Sequence, residues 1–100
     1  MRIINQLGEY VGDHTEVRSF RMITGIVEKE KNRSSSAIVM KNMDEQEIYL
    51  AVYSSKDIAI DVLTSVLYAI DKKAPQYRFS QQGVKELNIL SGLLKRKKKY

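Results

Sequence analysis

His14 is the single histidine of the chain and stands in "GDHTE", with Asp13 beside it and Glu16 two residues on. A histidine among carboxylates can carry protons or supply one ligand to a metal. Zinc sites need three or four protein ligands, and none of the usual spacings occurs around His14. The turn-forming pair Gly12 and Asp13 therefore favours a solvated loop histidine. The serines at 34 to 36 offer hydroxyls, but a serine nucleophile needs a base to take its proton and none is near in sequence. Loop solvation or phosphorylation fits them equally well. The five glycines form neither G-x-G-x-x-G nor G-x-x-x-x-G-K-[ST], so no phosphate-cradling loop is predicted. Asp44, Glu45 and Glu47 cluster as expected of a soluble hairpin tip. No catalytic residue, cofactor or metal is expected.

Binding chemistry is better represented. The chain has six tyrosines and two phenylalanines, and aromatic rings interleaved with basic residues can stack bases and hold phosphates. Tyr77 and Arg78 in "YRF", and Tyr49 and Tyr53 on one alternate face of a predicted strand, are the candidate contacts. Tyrosines of this kind also pack at a core rim with their hydroxyls in water, and an exposed tyrosine patch fits a protein interface equally well. The net charge of +5 is carried by the end of the chain, where Lys95, Arg96, Lys97, Lys98 and Lys99 follow one another. The rest of the sequence balances 12 basic against 12 acidic residues, the 17 Lys and Arg less those five. Such a run reads as a solvated tail, favoured near a helix C-terminus by the helix dipole, or as a sequence-independent polyanion contact.

These residues must be positioned by a single small core, since 100 residues with 43% hydrophobic content support one domain over 1 to 94, with residues 95 to 100 as a basic tail. The apolar runs are far shorter than the ~20 residues needed to cross a bilayer, and "MRIINQLGEY" lacks a signal peptide's apolar middle. Without cysteine there is no disulfide or thiolate chemistry, which suits a reducing compartment. A cytoplasmic protein with no membrane contact is expected.

Periodicity supplies the elements. Residues 1 to 13 read as two short strands joined at Gly8. "EVRSFRMITGIVEKE" alternates Phe20, Met22, Thr24 and Ile26 with Arg21, Ile23, Gly25 and Val27, the period of a strand. "KEKNRSSS" (29 to 36) has no period and reads as an exposed loop. "AIVMKNM" and "EIYLAVY" read as a hairpin across "DEQ", with Ile48, Leu50 and Val52 opposite Tyr49, Ala51 and Tyr53. A single helix over 35 to 53 is the competing reading, which the strict alternation disfavours.

At Ser54 and Ser55 the period changes. Either serine can cap a helix, and Ser54 with Asp57 resembles a capping box. Ile58, Ala59, Val62, Leu63, Val66, Leu67 and Ile70 then form one apolar face, and Pro75 stops the helix. Ser80 is a second candidate cap, for a helix bearing Val84, Leu87, Leu90, Leu93 and Leu94 and weakened by Gly83 and Gly92. The fold class predicted is α+β: a small antiparallel sheet covered by one amphipathic helix, with a second C-terminal helix.

"MRIINQLGEY" together with "IYLAVYSSKDIAIDVLTSVLYAI" resembles small uncharacterised proteins of Gram-positive bacteria and their phages, in which a hairpin strand runs into a capped helix. That resemblance implies a non-enzymatic binding protein of a phage or mobile element that modulates or inhibits a host macromolecule, with a host protein as partner. "YRFSQQGVKELNIL" is similar to the wing strand and last helix of winged-helix DNA-binding proteins, which implies the alternative: a nucleic-acid-binding or transcription-regulating protein. A homodimer through the second helix would be one way to stabilise so small a core. On the nucleic-acid alternative, removing residues 95 to 100 sharply weakens oligonucleotide binding in a fluorescence titration. On the protein-partner reading the complex survives the same truncation.

Overall fold

The computed structural model of the protein describes residues 1–28 and 33–97. Two three-stranded sheets and two helices make an α+β fold. The first sheet has β1 (Arg2–Ile4) at its centre, antiparallel to β2 (Tyr10–Asp13) and parallel to β6 (Gln76–Arg78). The second is an antiparallel meander of β3 (Val17–Glu28), β4 (Arg33–Asn42) and β5 (Glu47–Tyr53). Helix α1 (Lys56–Asp71) follows β5, and α2 (Val84–Lys97) follows β6.

The expected hairpin forms, and the helix over 35 to 53 does not. Its turn is organised by Asn42, whose side-chain oxygen accepts from the backbone N–H groups of Asp44 and Gln46, both at 3.0 Å. An Asn competing for nearby backbone donors is the ordinary way to open such a turn. The predicted loop at 29 to 36 needs correction. Residues 33 to 36 belong to β4, and Ser35 and Ser36 are buried, while 29 to 32 lie outside the described residues. Paired with residues 26 and 27 of β3 and with Tyr53, this polar stretch is held by its backbone ladder, whatever its side-chain composition suggests.

The expected α+β arrangement forms, with α1 packed on the antiparallel meander, and a second sheet joins the same core. Ile38 and Met40 of β4 join Leu50, Tyr53 and the α1 residues Ala59 and Val66 in one apolar cluster. The alternate residue Ala37 joins Val52 and Leu90 of α2 in a second cluster. Because neighbouring residues of a strand face opposite sides, α1 and α2 lie on opposite faces of the meander. Ile3, Phe79 and the partly buried Val11 and Tyr77 bring the inner face of the first sheet into the α1 cluster.

Ser55, not Ser54, caps α1: its Oγ accepts from the Ile58 N–H at 3.2 Å. Ser54 instead exchanges two 2.7 Å hydrogen bonds with the amide of Gln82. Gly83 lies just outside α2, and its carbonyl accepts from Leu87, so Gly92 is the glycine that sits inside the helix. Ser80 does not cap α2; its carbonyl accepts from Gln6 and Tyr53.

Gln6 joins these pieces. Its side chain is fully buried, and its amide behaves like an extra peptide group. The Val52 N–H donates to Gln6 Oε1 at 2.9 Å, while Gln6 Nε2 donates to the carbonyls of Val52 and Ser80, each at 3.0 Å. The Gln6 backbone N–H reaches the Leu50 carbonyl at 2.9 Å, and Gln81 donates to the Gln6 carbonyl at 3.3 Å. Asn5, also buried, shapes the turn by accepting from the N–H groups of Leu7 and Glu9. A lost partner at a buried polar group costs about 1–3 kcal/mol. Gln6→Ala leaves the Val52 N–H and C=O without these partners and removes one of the two donors to the Ser80 carbonyl, so it is expected to destabilise the fold by roughly 2 kcal/mol or more. Urea denaturation of the variant against the parent chain measures this.

Candidate functional site

The four aromatic and basic residues singled out in the body of the chain do not converge. Tyr53 is 1% exposed and packs in the α1 cluster, whereas Tyr49 is half-buried against the α2 cluster. Strict alternation predicts both on one face. The pairing shows why they part: Ile38 faces Ala51 but Val39 faces Tyr49, so Leu50 is an extra residue in β5. A bulge of this kind inverts the facing of everything beyond it. Ile48, Leu50, Ala51 and Tyr53 consequently join the α1 side, with Tyr49 and Val52 on the other. The exposed tyrosine pair is not formed.

Tyr77 also turns inward. It is half-buried, packs against the α1 cluster and meets Phe79 edge to face, with ring centroids 5.1 Å apart. Arg78, its neighbour, points the other way and is exposed. Its guanidinium lies over Gly8, where a Cβ would come within 3.1 Å of Nη2. Gly8 also has a positive φ of 87°, so the turn needs glycine for its conformation and for this close approach. Of the basic run, Lys95, Arg96 and Lys97 continue the backbone of α2. Lys98 and Lys99 lie outside the described residues.

His14 occupies a short 3₁₀ turn, His14–Glu16, rather than an open loop. Asp13 caps it, accepting from the Thr15 N–H at 3.1 Å, while Glu16 accepts from the Asp13 N–H at 3.3 Å. The hydrogen bonds from Thr15 hold the Asp13 carboxyl below its ordinary value. His14 Nδ1 lies 2.8 Å from the Met1 amino nitrogen and 3.3 Å from Asp13. Among the described residues no group of three or more His, Cys, Asp and Glu could hold a metal ion.

The charges of the meander are largely paired. Arg21 of β3 reaches across β4 to Glu47 of β5, and between them Val39 is only 1% exposed. The arginine stem shields apolar surface while its head stays in water. Arg18 pairs with Glu45, which Lys41 also approaches at 3.1 Å.

Two surfaces escaped the sequence. On α1 the buried stripe is narrower than predicted: Ile58 and Leu67, expected in the core, are exposed, as are Ile60 and Tyr68. Leu67 is 53% exposed and Tyr68 64%. The periodicity contained the clue, since apolar residues at 58, 60, 67 and 68 span more of the helix circumference than one sheet face can cover. The second surface is the outer face of the first sheet, with Arg2, Tyr10, Gln76 and Arg78 exposed. Its signal was absent from the sequence, because the parallel pairing of residues 2 to 4 with 76 to 78 leaves no local pattern.

Comparison with known proteins finds no family model, no curated protein and no solved structure that matches the chain. No described helix is long and apolar enough to cross a membrane.

Tyr53 supplies the clearest pH signature. Burial pushes its hydroxyl from an ordinary 10.0 up to about 12, partly offset by the Ser80 hydroxyl 3.5 Å away. A pKa raised on folding means that the folded state prefers the neutral phenol. The resulting stability is fully present below pH 10 and is lost as pH rises through about 12. Tyr53→Phe is expected to cost about 1 kcal/mol near neutral pH, through the lost hydrogen bond, and to flatten the alkaline decline. Thermal melts of both proteins between pH 8 and pH 12 check this.

Proposed function

We propose that the chain is a non-enzymatic binding protein that docks on a partner protein through the outward face of α1. The observation that carries this is the exposure of Ile60, Leu67 and Tyr68 within two turns of one helix. Contiguous apolar surface on a soluble domain marks an interaction site. Residues seven and eight apart present the spacing by which a helix lies in a partner's groove. Asp57, Asp61 and Asp71 are exposed on the same helix, as is Lys56, and the Lys72 ammonium lies 5.5 Å from the Tyr68 ring centroid, so the complementary groove is apolar with a rim of both charges. The resemblance to small proteins of Gram-positive bacteria and phages makes a host protein the partner and a modulator or inhibitor the role.

The nucleic-acid alternative built on Tyr77 and the tail is the weaker reading, because Tyr77 packs inward. The winged-helix likeness supplies only β6 and α2, and β6 runs parallel to β1.

The test compares two baits, the parent chain and the Ile60→Glu, Leu67→Glu variant, in pull-downs from host lysate with nuclease. Exposed positions tolerate substitution to within about 0.5 kcal/mol, so the variant is expected to fold with nearly unchanged stability. It is expected to lose a stoichiometric protein that the parent retains. Equal retention by both baits, or recovery of nuclease-sensitive material alone, overturns the reading.

A further inference from the structure

We infer that the outer face of the first sheet is a contact surface for single-stranded nucleic acid, formed by Arg2, Tyr10 and Arg78. The argument is independent of α1. Arg2 pairs with Gln76, and Ile4 pairs with both Tyr10 and Arg78. Paired residues of adjacent strands share a face, so these side chains lie together, opposite Ile3 and Tyr77, which enter the core. Strand spacing and rise place the Arg2 and Arg78 backbones about 8 Å apart on a diagonal.

Both arginines are exposed, and among the described residues neither forms an ion pair with a carboxylate. The nearby acids are engaged elsewhere. Asp13, opposite Arg2, faces the Met1 amino group at 3.4 Å and Thr15 at 3.0–3.1 Å, and Glu9 accepts from Asn5 at 3.5 Å. This contrasts with the meander, where Arg18 and Arg21 are each satisfied by a glutamate. The first sheet therefore presents two unneutralised guanidinium groups on a rigid surface.

Tyr10 decides the partner. It is 51% exposed, and the Arg2 guanidinium lies 4.5 Å from its ring centroid. A ring and a guanidinium plane together form a stacking platform, which every base can use and an acidic peptide cannot. Bases free to stack belong to single strands, because a duplex hides their faces. The glycine under Arg78 holds its head close to the sheet, so the second phosphate contact is positioned rather than swung out on a free side chain. A sheet three residues long accommodates two or three nucleotides, making this a weak, sequence-tolerant and salt-sensitive site.

The experiment is a fluorescence-anisotropy titration of labelled, mixed-sequence single-stranded DNA and RNA oligonucleotides over a range of salt concentrations. The protein is used with residues 95 to 100 present and absent, with thermal melts confirming that every variant folds. Arg2→Gln with Arg78→Gln is expected to weaken binding roughly ten-fold and to reduce the slope of log K against log salt by about 1.4, two phosphate contacts on a single strand. Tyr10→Ala is expected to weaken binding by roughly ten-fold with the slope unchanged. Arg18→Gln with Lys56→Gln removes the same charge elsewhere and is expected to change binding less than either. Equal loss from that control overturns the proposal, as do retention of full affinity by Tyr10→Ala and binding that depends on residues 95 to 100 alone. An acidic peptide that competes as well as the oligonucleotides would assign the face to a protein instead, and an absence of binding at low salt would remove it altogether.

Discussion

The fold depends on one side-chain amide standing in for a strand. β5 is an edge of the meander, and an edge strand carries a row of unpaired peptide groups. Gln6 satisfies both the N–H and the C=O of Val52 with its side chain and the Leu50 carbonyl with its backbone. An amide is the one side-chain group that can donate and accept in the geometry of a peptide. The same amide holds the Ser80 carbonyl, so the β1–β2 turn, β5 and the segment between β6 and α2 meet at a single residue. No hydrophobic side chain could replace it without leaving these backbone groups unmatched, and among the described residues no buried side-chain nitrogen or oxygen lacks a partner.

The two clusters follow from this join. With the first sheet fixed beside β5, Ile3 and Phe79 extend the α1 core sideways, and the chain that continues past Ser80 is delivered to the opposite face of the meander. Helix α2 there covers β5 through Leu90, Ile89 and Leu93, leaving the Arg21–Glu47 bridge to shelter Val39. The bulge at Leu50 makes this economical. It gives the α1 core the adjacent Leu50 and Ala51 together with Tyr53, while Tyr49 and Val52 remain for α2.

Legibility in the sequence tracked the range of the responsible interactions. The hairpin, the capped α1 and the paired short strands at the N-terminus rest on alternation, helical period and turn residues, all visible within a few positions. The second sheet, the placement of α2 and the burial of Ser35 and Ser36 rest on partners far away in the chain, and nothing local reports them. Gln6 is the sharpest instance: in "INQLG" it looks like a turn residue, and its importance lies entirely in Val52 and Ser80. The candidate surfaces behaved similarly. Tyr53 misled because one inserted residue inverted its facing, and Arg78 stood out in the sequence while its companion Arg2, 76 positions earlier, did not.

The Gln6 join also sets an order of events. The meander and α1 connect neighbours in the chain, so they require little loop closure before their contacts begin to stabilise one another. Gln6 lies 46 residues from Val52 and 74 from Ser80, and it finds both partners only once β5 is in place and the chain beyond α1 has returned. The amide thus acts late, as a latch on a structure already assembled from the middle outward. Contacts made after the folding barrier slow unfolding more than they speed folding. The residue that closes this molecule is in that sense a timekeeper: it governs how long the two ends stay docked.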